Sequence, residues 1–190
     1  MISKRTAMTR DAEYQTREVD GKRYIDGYFA VFNSKYWLWD DAYETIDPGA
    51  FDLAADKDVR ALTNHDTTLV LGRTTAGTLT LRVDERGLYG SIEINENDQD
   101  AVNQYERVRR GDVTQCSFGF DILGQEIERN EGQPTVFRIT KVKLYEVSVC
   151  TFPAYEETGV TARKAELADI ENRHAQEWRD RMIKRLKGES

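Results

Sequence analysis

The stretch "GDVTQCSFGFDI", residues 111–122, sets a serine beside a cysteine inside an apolar run. Side chains on an extended strand alternate between its two faces. With residues 114–121 extended, Cys116, Phe118 and Phe120 share an apolar, core-facing side, and Ser117, Gly119 and Asp121 share the other. The thiol then packs as a small hydrophobe. The hydroxyl is expected to be accessible, beside a glycine that leaves room for something to approach.

Reading outward, the chain is punctuated like a β-protein. Two β-rich runs surround Asp20-Gly21, a dipeptide suited to the positive φ angles of a two-residue hairpin. "GTLTLRVDERGLYGSIEIN" predicts a second hairpin with its turn near Asp84 to Gly87, and "VRALTNHD" alternates up to His65. "VTQCSFGFDILGQEIE" and "TVFRITKVKLYEVSVCTF" are two long strands. Pro48, Pro134 and Pro153 all fall between runs, where a sheet tolerates proline. Many strands with tight turns predict a mainly β, α+β chain, folded as a barrel or a closed sandwich.

Three helices are expected. One opens at Asp47-Pro48 in "DPGAFDLAA". The second, in "NENDQDAVNQYERVRRG", places Ala101, Val102, Tyr105 and Val108 at helical spacing, with Asp98 and Asp100 near its start and Gly111 as its stop. The third runs from about Thr161 to Lys187 with a thin stripe of Leu167, Ile170, His174, Trp178 and Met182 on a charged rod. That stripe is too narrow for a core of its own. Residues 1–160 are therefore expected to form one domain and residues 161–190 a charged helical tail that makes an assembly contact.

Composition bounds the function. The 190 residues are 39% hydrophobic, enough for one domain with a real core. There is no apolar run of membrane-spanning length and no apolar leader, so no membrane partner is expected. A net charge of -7 argues against a nucleic-acid footprint. Cys116 and Cys150 are the only cysteines; they fit a reducing compartment and make no zinc motif.

A serine needs a base, and the base needs something to orient it. Histidine suits the first role, and the chain has only His65 and His174. His174 lies on the charged tail, where a surface or interface role is the ordinary reading. His65 ends a β run, where histidines are usually structural, but it stands alone in the folded part. Glu146 lies among Leu144, Tyr145, Val147 and Val149; it is either a solvated strand residue or a carboxylate that orients an imidazole. Asp66 and Asp121 compete for that role, and Ser148 shares the face of Glu146. Trp37 and Trp39 in "YWLWDDAYETI" are expected to pack in the core, with a substrate groove or subunit contact as the alternative.

Several blocks now carry a resemblance: "GYFAVFN" (27–33), "DPGAF" (47–51), "ALTNHD" (61–66) with "LGRT" (71–74), "RGLYGSIEI" (86–94), "RRGDVTQCSFGF" (109–120) and "LYEVSVCTFPAY" (144–155). The chain resembles, from Arg10 to Arg163, the prohead proteases of tailed bacteriophages, capsid-maturation serine proteases related to the herpesvirus assemblins. The resemblance implies an assemblin-like, closed or nearly closed antiparallel β-barrel with flanking helices, Ser117 as nucleophile and His65 as general base. Assemblins use a second histidine as third member; none stands in the matching region, so the role falls to Glu146.

The resemblance also implies that neither metal nor cofactor is needed. The partners would be the major capsid protein and its scaffold, with self-association, and the place would be the immature capsid in the host cytoplasm. Oxyanion donors leave no sequence mark, and "LGRT" with Gly72 and Arg73 is the nearest guess. Two rival classes are an inactive assembly protein on the same barrel, disfavoured by the intact His-Ser-Glu set, and a cysteine protease through Cys116, disfavoured by strand parity.

Overall fold

The computed structural model describes residues 5–9, 14–152 and, in the C-terminal segment, 164, 167–169, 172–173 and 176–181. The chain divides into two compact units, Met1–Ala154 and Tyr155–Ser190. The first is mainly β. In chain order its strands are β1 (Arg5–Thr9), β2 (Gln15–Val19), β3 (Lys22–Val31), β4 (Tyr36–Trp39), β5 (Ala42–Ile46), β6 (Arg60–Thr63), β7 (Asp66–Arg73), β8 (Leu79–Val83), β9 (Gly87–Glu93), β10 (Gln115–Glu128) and β11 (Thr135–Cys150). One helix, α1 (Gln99–Arg110), precedes β10.

Two sheets share one core. The larger runs β1-β10-β11-β5-β4, with β6 also paired to β11 and β7 to β6; the smaller runs β2-β3-β9-β8. Among the described residues neither sheet closes on itself: two open sheets meet through their apolar faces, as in the sandwich alternative, and closure into a barrel is not seen there. Ile25 and Phe29 of β3, Leu88 and Ile92 of β9, Phe118 and Phe120 of β10, and Val147 and Val149 of β11 lie in a single apolar cluster. Phe118 stacks on Phe120 at 4.7 Å and meets Phe51 edge-on at 5.5 Å.

Local chemistry accounts for most elements. Asp20 (φ 52°) and Gly21 (φ 73°) make the β2–β3 turn that their sequence predicts. α1 begins at Asp98, whose carboxylate accepts from the N–H groups of Asp100 and Ala101, and stops at Gly111 in the left-handed region. Ala101, Tyr105 and Val108 are its buried stripe.

Two expectations fail here, and one strand is unanticipated. No helix forms at Asp47–Ala55; Gly49 takes φ 90°, a turn closes from Ala50 N–H to the Asp47 carbonyl, and Ala50 and Phe51 run into the core. Trp37 and Trp39 are not core residues. They lie in the β4–β5 hairpin at the sheet edge, where Trp37 is 49% exposed against Tyr43 and Trp39 packs half-buried against Phe137. β1, which the sequence reading did not anticipate, pairs antiparallel with β10, setting Met8 opposite Ser117.

In the C-terminal unit the described residues are helical and mostly exposed. Ile170, His174 and Met182 of the predicted stripe lie outside the described residues.

Candidate functional site

The site is assembled on the face of β10 and β11 opposite the core. Antiparallel pairing sets Gln115 against Cys150, Ser117 against Ser148, and Gly119 against Glu146. Directly opposite side chains on one face lie about 5 Å apart at Cβ. Strict alternation would put Glu146 on the same face as Leu144, which is a core residue. A register shift between Gly119 and Phe120 resolves this: Glu146 pairs with Gly119, Leu144 with Phe120, and Tyr145 is the extra residue. The bulge re-aims the strand, so that Leu144 packs inward while Glu146 turns to the polar face.

His65 comes from the parallel neighbour of β11. It is not the last residue of a strand, as the alternation suggests, but the second of the two turn residues between β6 and β7. Asn64 (φ 50°) and His65 (φ 61°) both occupy the left-handed region, where asparagine and histidine are tolerated better than most side chains. The turn is fastened to the end of β11. Asn64 N–H donates to the Val149 carbonyl (3.0 Å), Thr151 N–H to Asn64 Oδ1 (2.8 Å) and His65 N–H to Ser148 Oγ (3.2 Å).

These fasteners fix the imidazole. His65 Nδ1 lies 2.6 Å from Glu146 Oε1, and Ser148 donates its hydroxyl to Glu146 Oε2 at 2.6 Å. Glu146 is 5% exposed, so both partners act on a desolvated carboxylate, where such bonds are strong. A carboxylate can only accept here, which makes Nδ1 the protonated nitrogen; in the neutral imidazole Nε2 then keeps its lone pair. The recorded neighbour of Nε2 is Cys150 Sγ, 3.8 Å away. Burial, with Cys116 and Glu146 nearby, pushes the Cys150 thiol up to about 12, so it stays protonated.

Gly119 explains how the carboxylate fits. A Cβ built there would come within 2.4 Å of Glu146 Oε1. The room beside Ser117 is therefore filled by Glu146 itself.

The rivals of Glu146 are engaged elsewhere. Asp66 accepts from the N–H and hydroxyl of Thr68 (2.8 and 2.6 Å), which hold its carboxyl below the usual range. Asp121 accepts from the Tyr145 hydroxyl at 2.6 Å. In the "LGRT" segment a Cβ at Gly72 would meet the Thr78 carbonyl at 2.8 Å, and Arg73 makes a two-pronged pair with Asp58 at 2.7 and 2.8 Å. Among the described residues no group of three or more His, Cys, Asp or Glu side chains is placed to hold a metal.

Parity places the two side chains of the opening stretch on opposite faces. Cys116 lies in the core, its sulfur 3.0 Å from the Tyr28 carbonyl. The accessibility expected of Ser117 fails, because the residue is fully buried. β10 is an interior strand flanked by β1 and β11, and Ser148 and Glu146 beside it are themselves buried. Facing away from the core is not the same as facing water. Cys150 is the residue sequence reasoning passed over. The spacing Glu146, Ser148, Cys150 is its one signal, since it puts all three on one face beyond the bulge.

Comparison with known proteins follows this geometry. Residues 11–173 match the family described as caudovirus prohead serine protease, ten residues past Arg163, where the resemblance read from the sequence ends. The prohead protease of Enterobacteria phage HK97 is 32% identical over 165 residues, covering 80% of this chain and 68% of that protein. Among solved structures, the capsid assembly protease gp21 of bacteriophage T4 aligns over 77% of this chain and 98% of its own, with a TM-score of 0.45 and 11% identity. The chain thus belongs to the caudovirus prohead serine protease family.

Proposed function

We propose that the chain is a serine endopeptidase of phage capsid maturation, with Ser117 as nucleophile, His65 as general base and Glu146 as the carboxylate that orients it. One observation carries the reading. The imidazole is held by Glu146 through Nδ1 at 2.6 Å, on the sheet face that also bears Ser117.

The chemistry follows from the tautomer. With Nδ1–H given to Glu146, Nε2 is the nitrogen that takes the Ser117 proton as the hydroxyl attacks a peptide carbonyl. The imidazolium that forms is stabilised by the buried carboxylate, and it returns the proton to the leaving amine. Water then hydrolyses the acyl-enzyme with His65 again as base. Ser148 supports the site twice, by binding Glu146 and by holding the His65 backbone. Because Ser117 is fully buried in the free chain, acylation requires the site to open.

The substrate assigned to this site is the scaffold segment of the major capsid protein, or a separate scaffold protein, and then the protease itself, inside the immature capsid in the host cytoplasm. Residues 1–160 form the catalytic domain in this reading, its two packed sheets an open form of the assemblin-like barrel, and residues 161–190 a helical tail. Co-expression with the cognate capsid protein tests it. Mass spectrometry of the products is expected to show a shortened capsid protein with wild type and an uncut one with Ser117→Ala. An uncut capsid protein with both, in well-folded chains that enter proheads, would leave the inactive assembly protein as the correct reading.

A further inference from the structure

The nitrogen that the proposed reaction needs is engaged in the free chain. Cys150 Sγ lies 3.8 Å from His65 Nε2, within reach of a long, weak hydrogen bond to sulfur. In the neutral imidazole with Nδ1–H committed to Glu146, the contact has one sense: the thiol donates and Nε2 accepts. The thiol is fully buried and remains S–H at any working pH, so it is a donor and not a competing nucleophile.

A second acceptor lies within its reach. The Ser148 carbonyl is 3.7 Å from the same sulfur, so the proton can turn to it when Nε2 is released. Ser117 sits across from Ser148 and diagonal to Cys150 on the same face, and it too is fully buried. Nucleophile covered and base engaged are two separate observations of a resting arrangement.

We propose that Cys150 is a positioning residue that caps the His65 base in the resting protein: its S–H occupies Nε2 and is exchanged for the Ser117 hydroxyl before acylation. This rests on the assignment of Ser117 and His65 given above. No bond is made or broken in the exchange; one hydrogen bond to Nε2 replaces another, and the thiol turns to the Ser148 carbonyl. Sulfur suits the role because S–H is a weak donor and releases the nitrogen readily. A hydroxyl in its place would hold on.

The test uses the full chain and a fluorophosphonate probe, with the rate of Ser117 labelling measured in wild type, Cys150→Ser and Cys150→Ala. Cys150→Ser is expected to label about tenfold more slowly, as a stronger hydrogen bond must be broken first, and Cys150→Ala several-fold faster than wild type. The ¹⁵N resonance of His65 Nε2 supplies a readout that packing alone would not move. It is expected to shift in opposite directions in the two variants while Nδ1 stays in place. Equal labelling rates in all three proteins, or equal slowing in both variants, would overturn the proposal. Absence of labelling at Ser117 in every form would instead sink the nucleophile assignment. The Nε2 resonance would then decide the cap by itself, unmoved in Cys150→Ala if it is wrong.

Discussion

The two faces of the β10–β11 pair are both closed to water, and they are closed for different reasons. On one, Cys116, Phe118, Val147 and Val149 are buried because water is worse company than carbon. On the other, Ser117, Glu146 and Ser148 are buried just as deeply, yet the last two are tied into one hydrogen-bonded chain with His65. The two cysteines divide the same way. Both are fully buried, but Cys116 lies against the Tyr28 carbonyl in the core and Cys150 against an imidazole nitrogen. Burial alone therefore does not separate packing from chemistry; the identity of the nearest polar atom does.

The comparison breaks most visibly on the polar face. His65→Ala is expected to reduce proteolysis to background, a loss of roughly a millionfold by analogy with other triads. Glu146→Gln keeps the base but removes its orienting charge, and about 10²–10⁴-fold is expected to go. A steady-state assay on a scaffold peptide measures both, and the melting temperature separates a lost reaction from a lost fold. Asp121→Asn or Asp66→Asn slower than Glu146→Gln would mean that the third member is misassigned.

Gly119→Ala is the next test, because it inserts one methyl between the strands. The new Cβ would stand 2.4 Å from Glu146 Oε1 and 3.0 Å from two carbons of that side chain, so the carboxylate must leave its place against His65. A drop of about 10²-fold in kcat is expected, the usual cost of misplacing a catalytic group by an ångström. A folded variant with unchanged kcat would mean that the carboxylate position does not matter.

Phe118→Ala addresses the core face one residue away. Phe118 is 1% exposed and packed between Phe51 and Phe120, so truncation is expected to cost about 3–5 kcal/mol of stability, read from denaturant unfolding. Its effect on kcat in the folded fraction should be small. A large kcat loss without destabilisation would show that the two faces are not separable.

How much of this was legible beforehand follows from the kind of signal each residue carries. Strand parity separates Cys116 from Ser117, because alternation is a property of one strand and needs no partner. The Asp20-Gly21 turn and the caps of α1 are legible for the same reason, since their chemistry is local. The failures at the site involve neighbours that arrive from elsewhere or turns without a glycine signal. Nothing in "QCSFGF" announces that β1 will pair along its outer edge, and that interior position is why Ser117 is buried and not accessible. The Tyr145 bulge is invisible to alternation, which by itself sets Glu146 on the face of Leu144. Asn64-His65 carries no glycine, which hid a two-residue turn inside what reads as a strand end.

The smallest expected effect lies away from both faces. Asp58 is held at about 2 by its two-pronged pair with Arg73. A carboxyl depressed in the folded chain contributes stability above its unfolded value near 4, and that contribution fades as pH falls toward about 2. Asp58→Asn removes it, so wild type and variant melting temperatures should converge through that window. The pair is exposed, and the difference at neutral pH should be slight. A gap between the two proteins that persists unchanged below pH 2 would refute the linkage.

The central claim is that the polar face, and not either thiol, forms the covalent intermediate. The most direct measurement is peptide mapping of the full chain after reaction with a peptidyl phosphonate. One adduct on Ser117 is predicted, absent in Ser117→Ala and in His65→Ala. An adduct on Cys150 or Cys116, or undiminished labelling of a folded Ser117→Ala chain, would contradict the account.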